Sequence, residues 1–87
     1  MSIIYKYPFN EAAFILIPPG KVTLVAQQFS HHTLPTVWIE HELPISEDRQ
    51  KCIVVGTGHE LNLQGWEHIG SCVCDRFVWH VYREGKL

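Results

Sequence analysis

The sequence predicts an all-β fold, a small antiparallel barrel or sandwich of about five to seven strands with little or no helix. Turn-forming residues recur roughly every 8–12 residues, a spacing typical of sandwiches and barrels. Short β-branched and aromatic runs fill the intervals, and no long segment repeats its apolar residues with a helical period. Because 87 residues leave room for a single core, we expect one domain spanning residues 1–87.

The predicted strands are the apolar or alternating runs between these turn signals. Pro8 ends the first run or keeps it at a sheet edge, because proline cannot donate to a strand ladder. The one helix-favouring patch, residues 10–13, is long enough for one turn at most. Gly70 interrupts a later run and indicates a β-bulge. In chain order, the strands are expected at residues 3–9, 14–17, 21–28, 34–43, 51–55, 66–74 and 77–83.

Several connections between these strands have recognisable turn chemistry. Pro18-Pro19-Gly20 predicts a type II turn in which Gly20 takes a positive φ. Residues 29–33 are polar and indicate a hairpin loop, and residues 46–50 form the most charged run, which predicts an exposed loop. Residues 75–76 turn the chain into the last strand.

The run Ile53-Val54-Val55 is strongly β-prone and leads into a glycine-rich turn. Three consecutive apolar residues of this kind predict a fully buried central strand. Its expected pairing partners are residues 35–39 and 77–82. Since the last strand is apolar on both faces, we expect loops, the other sheet or another subunit to cover its second face.

Charge and composition limit the functions open to this chain. The net charge is −2 and the lysines and arginines are scattered, which argues against the basic face of a duplex-DNA binder. Charged residues make up 18%, below the usual quarter, so we expect a partner or a second copy to cover apolar surface and predict a homo-oligomer. A signal-peptide pattern and an apolar run of about 18 residues are both lacking, which predicts a cytoplasmic protein without a membrane partner.

Three cysteines and six histidines raise thiol and metal chemistry as alternatives. An odd cysteine count without a signal peptide favours reduced thiols packed as small hydrophobes. Cys72 and Cys74 are expected on one face of a strand. The spacing of cysteines and histidines matches no zinc pattern, and no motif places a nucleophile on a strained turn. We therefore predict no metal site, no cofactor and no catalytic residue.

The turn Gly56-Thr57-Gly58-His59 is the best candidate binding site. Its two glycines allow backbone N–H groups to point outward as an anion nest, while Thr57 and His59 supply polar tips. The alternative is a tight turn with a surface histidine. A tryptophan can also stack on a base, and His80 has the alternative of a half-buried histidine bonded to a neighbouring strand. The predicted ligand-binding residues are Gly56, Thr57, Gly58, His59, Arg76, Trp79 and His80.

Four parts of the chain carry a resemblance: Tyr5-Lys6-Tyr7, Ile17-Pro18-Pro19-Gly20 with the strand to Val25, Val37-Trp38-Ile39, and Gly56–His59 together with Phe77–Tyr82. In these parts the chain resembles a family of short proteins encoded by phages and prophages. The similarity covers nearly the whole chain, although Lys21 departs from the family, in which a small residue is commoner. The resemblance implies a phage accessory protein expressed in a bacterial cytoplasm, and it carries no established activity.

Two non-enzymatic functions remain open. The first is binding and sequestration of a small anionic ligand, such as a nucleotide immune signal, in a pocket at a subunit boundary. The glycine turn, the tryptophans and the scattered arginines and lysines favour it. The second is inhibition of a bacterial host defence protein through an apolar surface, favoured by the low charge and the two-faced last strand. An enzymatic function would require turnover of such a ligand.

Overall fold

The computed structural model describes residues 1–28 and 34–85. In these ranges the chain forms seven strands in two antiparallel sheets and no helix, which confirms the predicted fold class. All strand boundaries lie within two residues of the predicted ones. The hairpin loop predicted at residues 29–33 lies outside the described residues. The strands are β1 (Ser2–Pro8), β2 (Phe14–Ile17), β3 (Lys21–Ala26), β4 (Thr36–Glu42), β5 (Gln50–Gly56), β6 (Trp66–Cys74) and β7 (Phe77–Glu84).

The two sheets are arranged as a sandwich and are not closed into a barrel. One sheet has the strand order β1-β4-β3, and the other has the order β2-β5-β7-β6. Neighbouring strands are antiparallel throughout. The edge strands β3 and β6 contact each other across the sandwich. A helical segment with the length and hydrophobicity of a membrane span does not occur in the described ranges.

Alternating side chains on the inner faces of the two sheets build the core. Val37 and Ile39 of β4 are fully buried, and Val81 of β7 faces them from the other sheet. The buried cluster consists of Phe9, Ile17, Val37, Ile39, Cys52 and Val81.

The link between β1 and β2 is a tight left-handed turn instead of the helical turn allowed by the sequence. Asn10 and Glu11 have φ of 49° and 68° there, and the turn is closed by a backbone hydrogen bond.

The predicted bulge at Gly70 is confirmed. The β6–β7 register shifts between His68 and Gly70. A Cβ atom at Gly70 would lie 2.5 Å from Cγ2 of Val25. Glycine therefore serves here to let β3 approach β6 closely across the core.

Two predictions for the central strand are wrong. Strand β5 pairs with residues 77–82 as expected, but residues 35–39 lie in the other sheet and the second neighbour of β5 is β2. The strand is also not fully buried, because Ile53 and Val54 are only half-buried. Successive strand residues point to opposite faces, so Val54 packs against the core while Ile53 lies on the other side. The apolar run Ile53–Val55 therefore places apolar side chains on both faces of the sheet and does not indicate a strand buried on both faces.

The positive φ predicted for Gly20 is also wrong. The segment crosses from one sheet to the other, so no hairpin turn is needed there. Gly20 instead provides space, because a Cβ atom would lie 2.6 Å from the Glu40 carbonyl oxygen and 2.9 Å from Nδ1 of His41. His41 is buried and held on both nitrogens, with Nδ1 3.1 Å from the Pro19 oxygen and Nε2 2.7 Å from the Tyr7 hydroxyl.

Candidate functional site

The candidate site lies at one end of the four-stranded sheet, where β5 ends and β6 turns into β7. Gly56 is paired with Trp79, which shares the inner face of this sheet with the buried Val81. His80 points to the opposite face, called the outer face below. The two halves of the predicted site are therefore brought together at the sheet end but are divided between its faces.

The Gly56–His59 turn is partly closed by its own histidine. The His59 N–H donates to the Gly56 carbonyl oxygen (3.2 Å), and the Gly56 N–H donates to Nδ1 of His59 (3.1 Å). Two of the amides that could form the predicted nest are therefore used inside the turn. Gly58 has a φ of 93°, and a Cβ atom there would meet nothing within 4 Å. Gly58 is thus required for its conformation and leaves open space beside it.

This turn and the β6–β7 connection form a pocket of about 410 Å³. Small-molecule sites typically measure roughly 300–1,000 Å³. Asp75, with a φ of 59°, makes the tight connection that brings Arg76 to the pocket. Five of the seven predicted site residues line it, whereas Gly58 and His80 do not. The lining of this Arg76 pocket consists of Gly56, Thr57, His59, Arg76, Phe77, Val78 and Trp79.

Arg76 is the cationic group of the pocket. Its side chain is exposed, and within the described residues it makes no ion pair or hydrogen bond. Phe77 and Trp79 lie in the same lining, with ring centroids 6.0 Å apart and planes tilted by 38°. Phe77 is 59% exposed, so part of this aromatic pair is open to a ligand. The pocket therefore combines an unpaired cation with an accessible aromatic surface.

Two lining residues, Phe77 and Val78, were not among the predicted site residues. Phe77 is an aromatic residue directly after the Asp75–Arg76 turn, and this position next to a predicted loop was the signal available in the sequence. The Trp79 indole N–H is buried and has no hydrogen-bond partner in the described part of the chain. A buried unpaired donor is uncommon in folded proteins.

A row of hydrogen-bonded side chains crosses the outer face beside the pocket. Thr57 Oγ1 lies 3.2 Å from Nε2 of His80 and 3.3 Å from the Val78 carbonyl oxygen. Ser71 Oγ lies 2.8 Å from Nδ1 of His80 and 2.9 Å from Nε2 of His68. We call this chain of Thr57, His80, Ser71 and His68 the polar row. His80 is not part of the lining of the Arg76 pocket, and Thr57 connects it to that pocket.

Comparison with protein families places the chain in one of them. A family model described as a domain of unknown function (DUF7352) matches residues 1–86. The chain belongs to this family. No curated protein and no solved structure matches it significantly.

A second pocket of the DUF7352 domain, of about 270 Å³, lies at the other end of β7 and was not predicted. Arg83 donates from Nη1 to the Gly20 carbonyl oxygen (2.6 Å) and faces both carboxylate oxygens of Glu67 (3.3 and 3.4 Å). The sequence signal was this pair of opposite charges, which becomes informative only when the register places Glu67 opposite Arg83. The lining of this Arg83 pocket consists of Pro19, Gly20, Gln50, Glu67, Arg83 and Glu84.

The three cysteines are free and buried. Cys72 and Cys74 lie on one face of β6, as predicted, with their Sγ atoms 3.4 Å apart. Burial and the neighbouring Cys72 raise the pKa of the Cys74 thiol to about 12, and burial raises the pKa of Cys52 to about 11. Thiols held in the neutral form are poor nucleophiles and poor metal ligands. Within residues 1–28 and 34–85, no three His, Cys, Asp or Glu side chains converge to hold a metal ion.

Proposed function

We propose that this protein binds a small anionic ligand that carries a flat ring, such as a nucleotide, in the Arg76 pocket. In this proposal the protein withholds the ligand and does not turn it over. The observation that supports it is an exposed arginine, unpaired within the described residues, beside an accessible aromatic pair in one pocket.

Each part of the pocket has a role in such binding. Arg76 can donate two parallel hydrogen bonds to a phosphate or carboxylate, a charged interaction that contributes about 1.5–3 kcal/mol. A ring stacked on Phe77 or Trp79 adds roughly 1–3 kcal/mol. Thr57 and His59 add polar side chains to the lining. The arginine and the stacked ring together contribute about 2.5–6 kcal/mol, which corresponds to a Kd of roughly 10 mM to 50 μM.

The resemblance to phage-encoded proteins supports a role during infection. A sequestering protein needs no catalytic group, and it must act where its ligand is made. In this proposal the ligand is a nucleotide signal of host immunity, and the protein lowers its free concentration in the bacterial cytoplasm. Removal of the signal would then counter the host defence.

The proposal is tested by thermal shift against a panel of mono-, di- and cyclic nucleotides. A bound ligand at 100 times its Kd should stabilise the protein by about 2.7 kcal/mol, which shifts Tm by several degrees. Arg76→Ala should abolish the shift. Arg49→Ala is the matched control, because Arg49 is also exposed, lies outside the pocket lining and donates its hydrogen bonds to the loop carbonyls of Ser46 and Asp48. No shift with any nucleotide, or equal loss in both variants, would overturn the proposal.

A second candidate function is inhibition of a bacterial host defence protein through the outer face. Strand pairing places four large apolar residues there, and they are 39–66% exposed. Val73 and Val78 lie at the end of the sheet next to the Arg76 pocket, and Phe14 and Leu16 lie on the edge strand β2, so a partner that covers both pairs also covers the polar row between them. A second copy of the chain is the competing occupant, and a dimer by light scattering identifies it, whereas capture of a host protein by a monomer supports inhibition. The four residues are Phe14, Leu16, Val73 and Val78.

A further inference from the structure

Ser71 is the centre of the polar row on the outer face. Its hydroxyl lies within hydrogen-bond distance of two imidazoles, those of His80 (2.8 Å) and His68 (2.9 Å). The Ser71 side chain is exposed, and its strand β6 is at the edge of the sheet, so a reactant can approach from solvent. A hydroxyl bonded to a base that is itself held by a third group is the arrangement that activates a nucleophile.

The hydrogen-bond directions along the row determine where the protons lie. The Thr57 hydroxyl donates to the Val78 carbonyl, which can only accept. Thr57 Oγ1 therefore accepts from Nε2–H of His80, and neutral His80 carries its lone pair on Nδ1. Ser71 then donates to that lone pair and accepts from Nε2–H of His68. This assignment satisfies every contact of the row with both imidazoles neutral.

We propose that Ser71 is a nucleophile that accepts acyl or phosphoryl groups from activated esters, with His80 as its general base. In this step Ser71 Oγ bonds to the carbonyl carbon or the phosphorus, and its proton moves to Nδ1 of His80. The bond to the leaving alcohol breaks, and the leaving oxygen takes the proton from His80. The products are a serine ester and an alcohol, and no electrons are exchanged with a cofactor.

The other two members of the row have distinct tasks in this step. Thr57 is a positioning residue, because it holds the tautomer in which Nδ1 of His80 faces the serine. His68 donates to Ser71 Oγ and so holds the hydroxyl in the orientation in which it donates to Nδ1 of His80. General base catalysis by a positioned imidazole typically accelerates proton transfer about 10²–10⁴-fold.

This reactivity goes beyond the proposed binding function and does not depend on it. Ser71 and His80 lie outside the lining of the Arg76 pocket, and Thr57 is the residue that the two sites share. Loss of ligand binding in Arg76→Ala would leave the polar row intact. The two proposals can therefore fail separately.

The test uses an alkyl fluorophosphonate, in which the phosphorus–fluorine bond breaks and fluoride leaves. Intact mass and peptide mapping report which serine of the folded protein is modified and how fast. Ser46 is an internal control, since its Oγ accepts a hydrogen bond from the Asp48 N–H. Ser71 should be modified about 100-fold faster than Ser46 if the imidazole acts as base. Equal rates, or modification only at other residues, would overturn the proposal.

Two further readouts separate activation from mere exposure. The rate at Ser71 should fall in acid, where a protonated imidazole can no longer accept the serine proton. His68, with its ring centroid 6.2 Å from that of His80, and Tyr82 are the titratable groups nearest on this face, while Lys51 and Glu84 lie further along it. Thr57→Ser should keep the rate and Thr57→Val should lower it at least tenfold. A rate independent of pH and of both substitutions would overturn the role of His80.

Discussion

The two arginine pockets lie at opposite ends of β7. Each contains one arginine, and the two arginines differ in whether their donors are already bonded within the protein. The Arg83 side chain is 14% exposed and bonded to the Gly20 carbonyl and to Glu67. Arg76 is exposed and, within the described residues, has no partner. An arginine whose donors are already satisfied holds the fold together, whereas one with free donors can bind an anion. The hydrogen-bond partners of each arginine, and not the residue type, therefore indicate which arginine stabilises the fold and which one has donors available to a ligand.

The glycines beside these pockets differ in the same way. Gly20 has no room for a side chain, because backbone oxygen and a buried imidazole lie within 3 Å of the position of a Cβ atom. Gly58 has open space around it and is constrained only by its φ of 93°. Substitution at the Arg83 end should therefore damage the fold, and substitution at the Arg76 end should mainly change binding.

The largest effect is expected for Gly20→Ala. Neither the Glu40 carbonyl nor the buried His41 ring can move away easily, so the free energy of unfolding should fall by about 3 kcal/mol. Gly58→Ala is the matched variant, and its backbone strain should cost about 1–2 kcal/mol. Urea denaturation measures both values. A greater loss in Gly58→Ala than in Gly20→Ala would contradict the assignment of the two glycines.

The next largest effect is expected at Cys52, because burial raises the pKa of its thiol from 9.0 to about 11. The folded state keeps this proton over a range in which the unfolded chain loses it. The resulting stability is complete below about pH 9 and is lost as pH rises through about 11, a change of roughly 2–3 kcal/mol. Cys52→Ala should lack this part of the pH dependence. Identical profiles of unfolding free energy between pH 8 and 11 would refute it.

The two arginines themselves give the next contrast. Arg83→Met removes a charged hydrogen bond to the Gly20 carbonyl and should lower the free energy of unfolding by about 1.5–3 kcal/mol. Arg76→Met should change it by less than about 0.5 kcal/mol, as expected for an exposed side chain without partners. Ligand affinity should follow the opposite order. Chemical denaturation and calorimetric titration of both variants check the inversion, which fails if either arginine affects both quantities equally.

His59→Ala should destabilise the protein less than Arg83→Met does. The substitution removes the Nδ1 acceptor of the Gly56 N–H and should cost about 1 kcal/mol of unfolding free energy. It also removes one polar group from the pocket, so ligand affinity should fall less than in Arg76→Ala. His59→Asn, which can still accept a hydrogen bond, is the conservative control. If His59→Ala were to bind as tightly as wild type, the histidine would belong to the turn alone.

Local structure was largely predictable from the sequence because it depends on neighbouring residues. The strands, the bulge at Gly70 and the shared face of Cys72 and Cys74 follow from alternation and from glycine spacing. The division into two sheets did not follow, since the run Ile53–Val55 is apolar enough to pair with either neighbour. Which strand it joins depends on residues far apart in the sequence.

The candidate site was predictable in its turn residues but not in its chemistry. Gly56, Thr57 and His59 stand out in the sequence, and Arg76 and Trp79 come together with them in one pocket. The bond from the Gly56 amide to the His59 ring, which uses up part of the nest, depends on a side-chain rotamer. The polar row depends on the β6–β7 register, which places Ser71 opposite His80. Neither feature can be inferred from the spacing of residues in the sequence.

The central claim, that the Arg76 pocket binds an anionic ring, is tested most directly by the indole N–H resonances of the three tryptophans. Trp79 lines the pocket, whereas Trp38 in β4 and Trp66 at the start of β6 lie outside its lining. Titration of ¹⁵N-labelled protein with the nucleotide that stabilises it most should shift the Trp79 resonance in a saturable way and leave the other two in place. A saturable shift of Trp38 or Trp66 with Trp79 unchanged would contradict the claim.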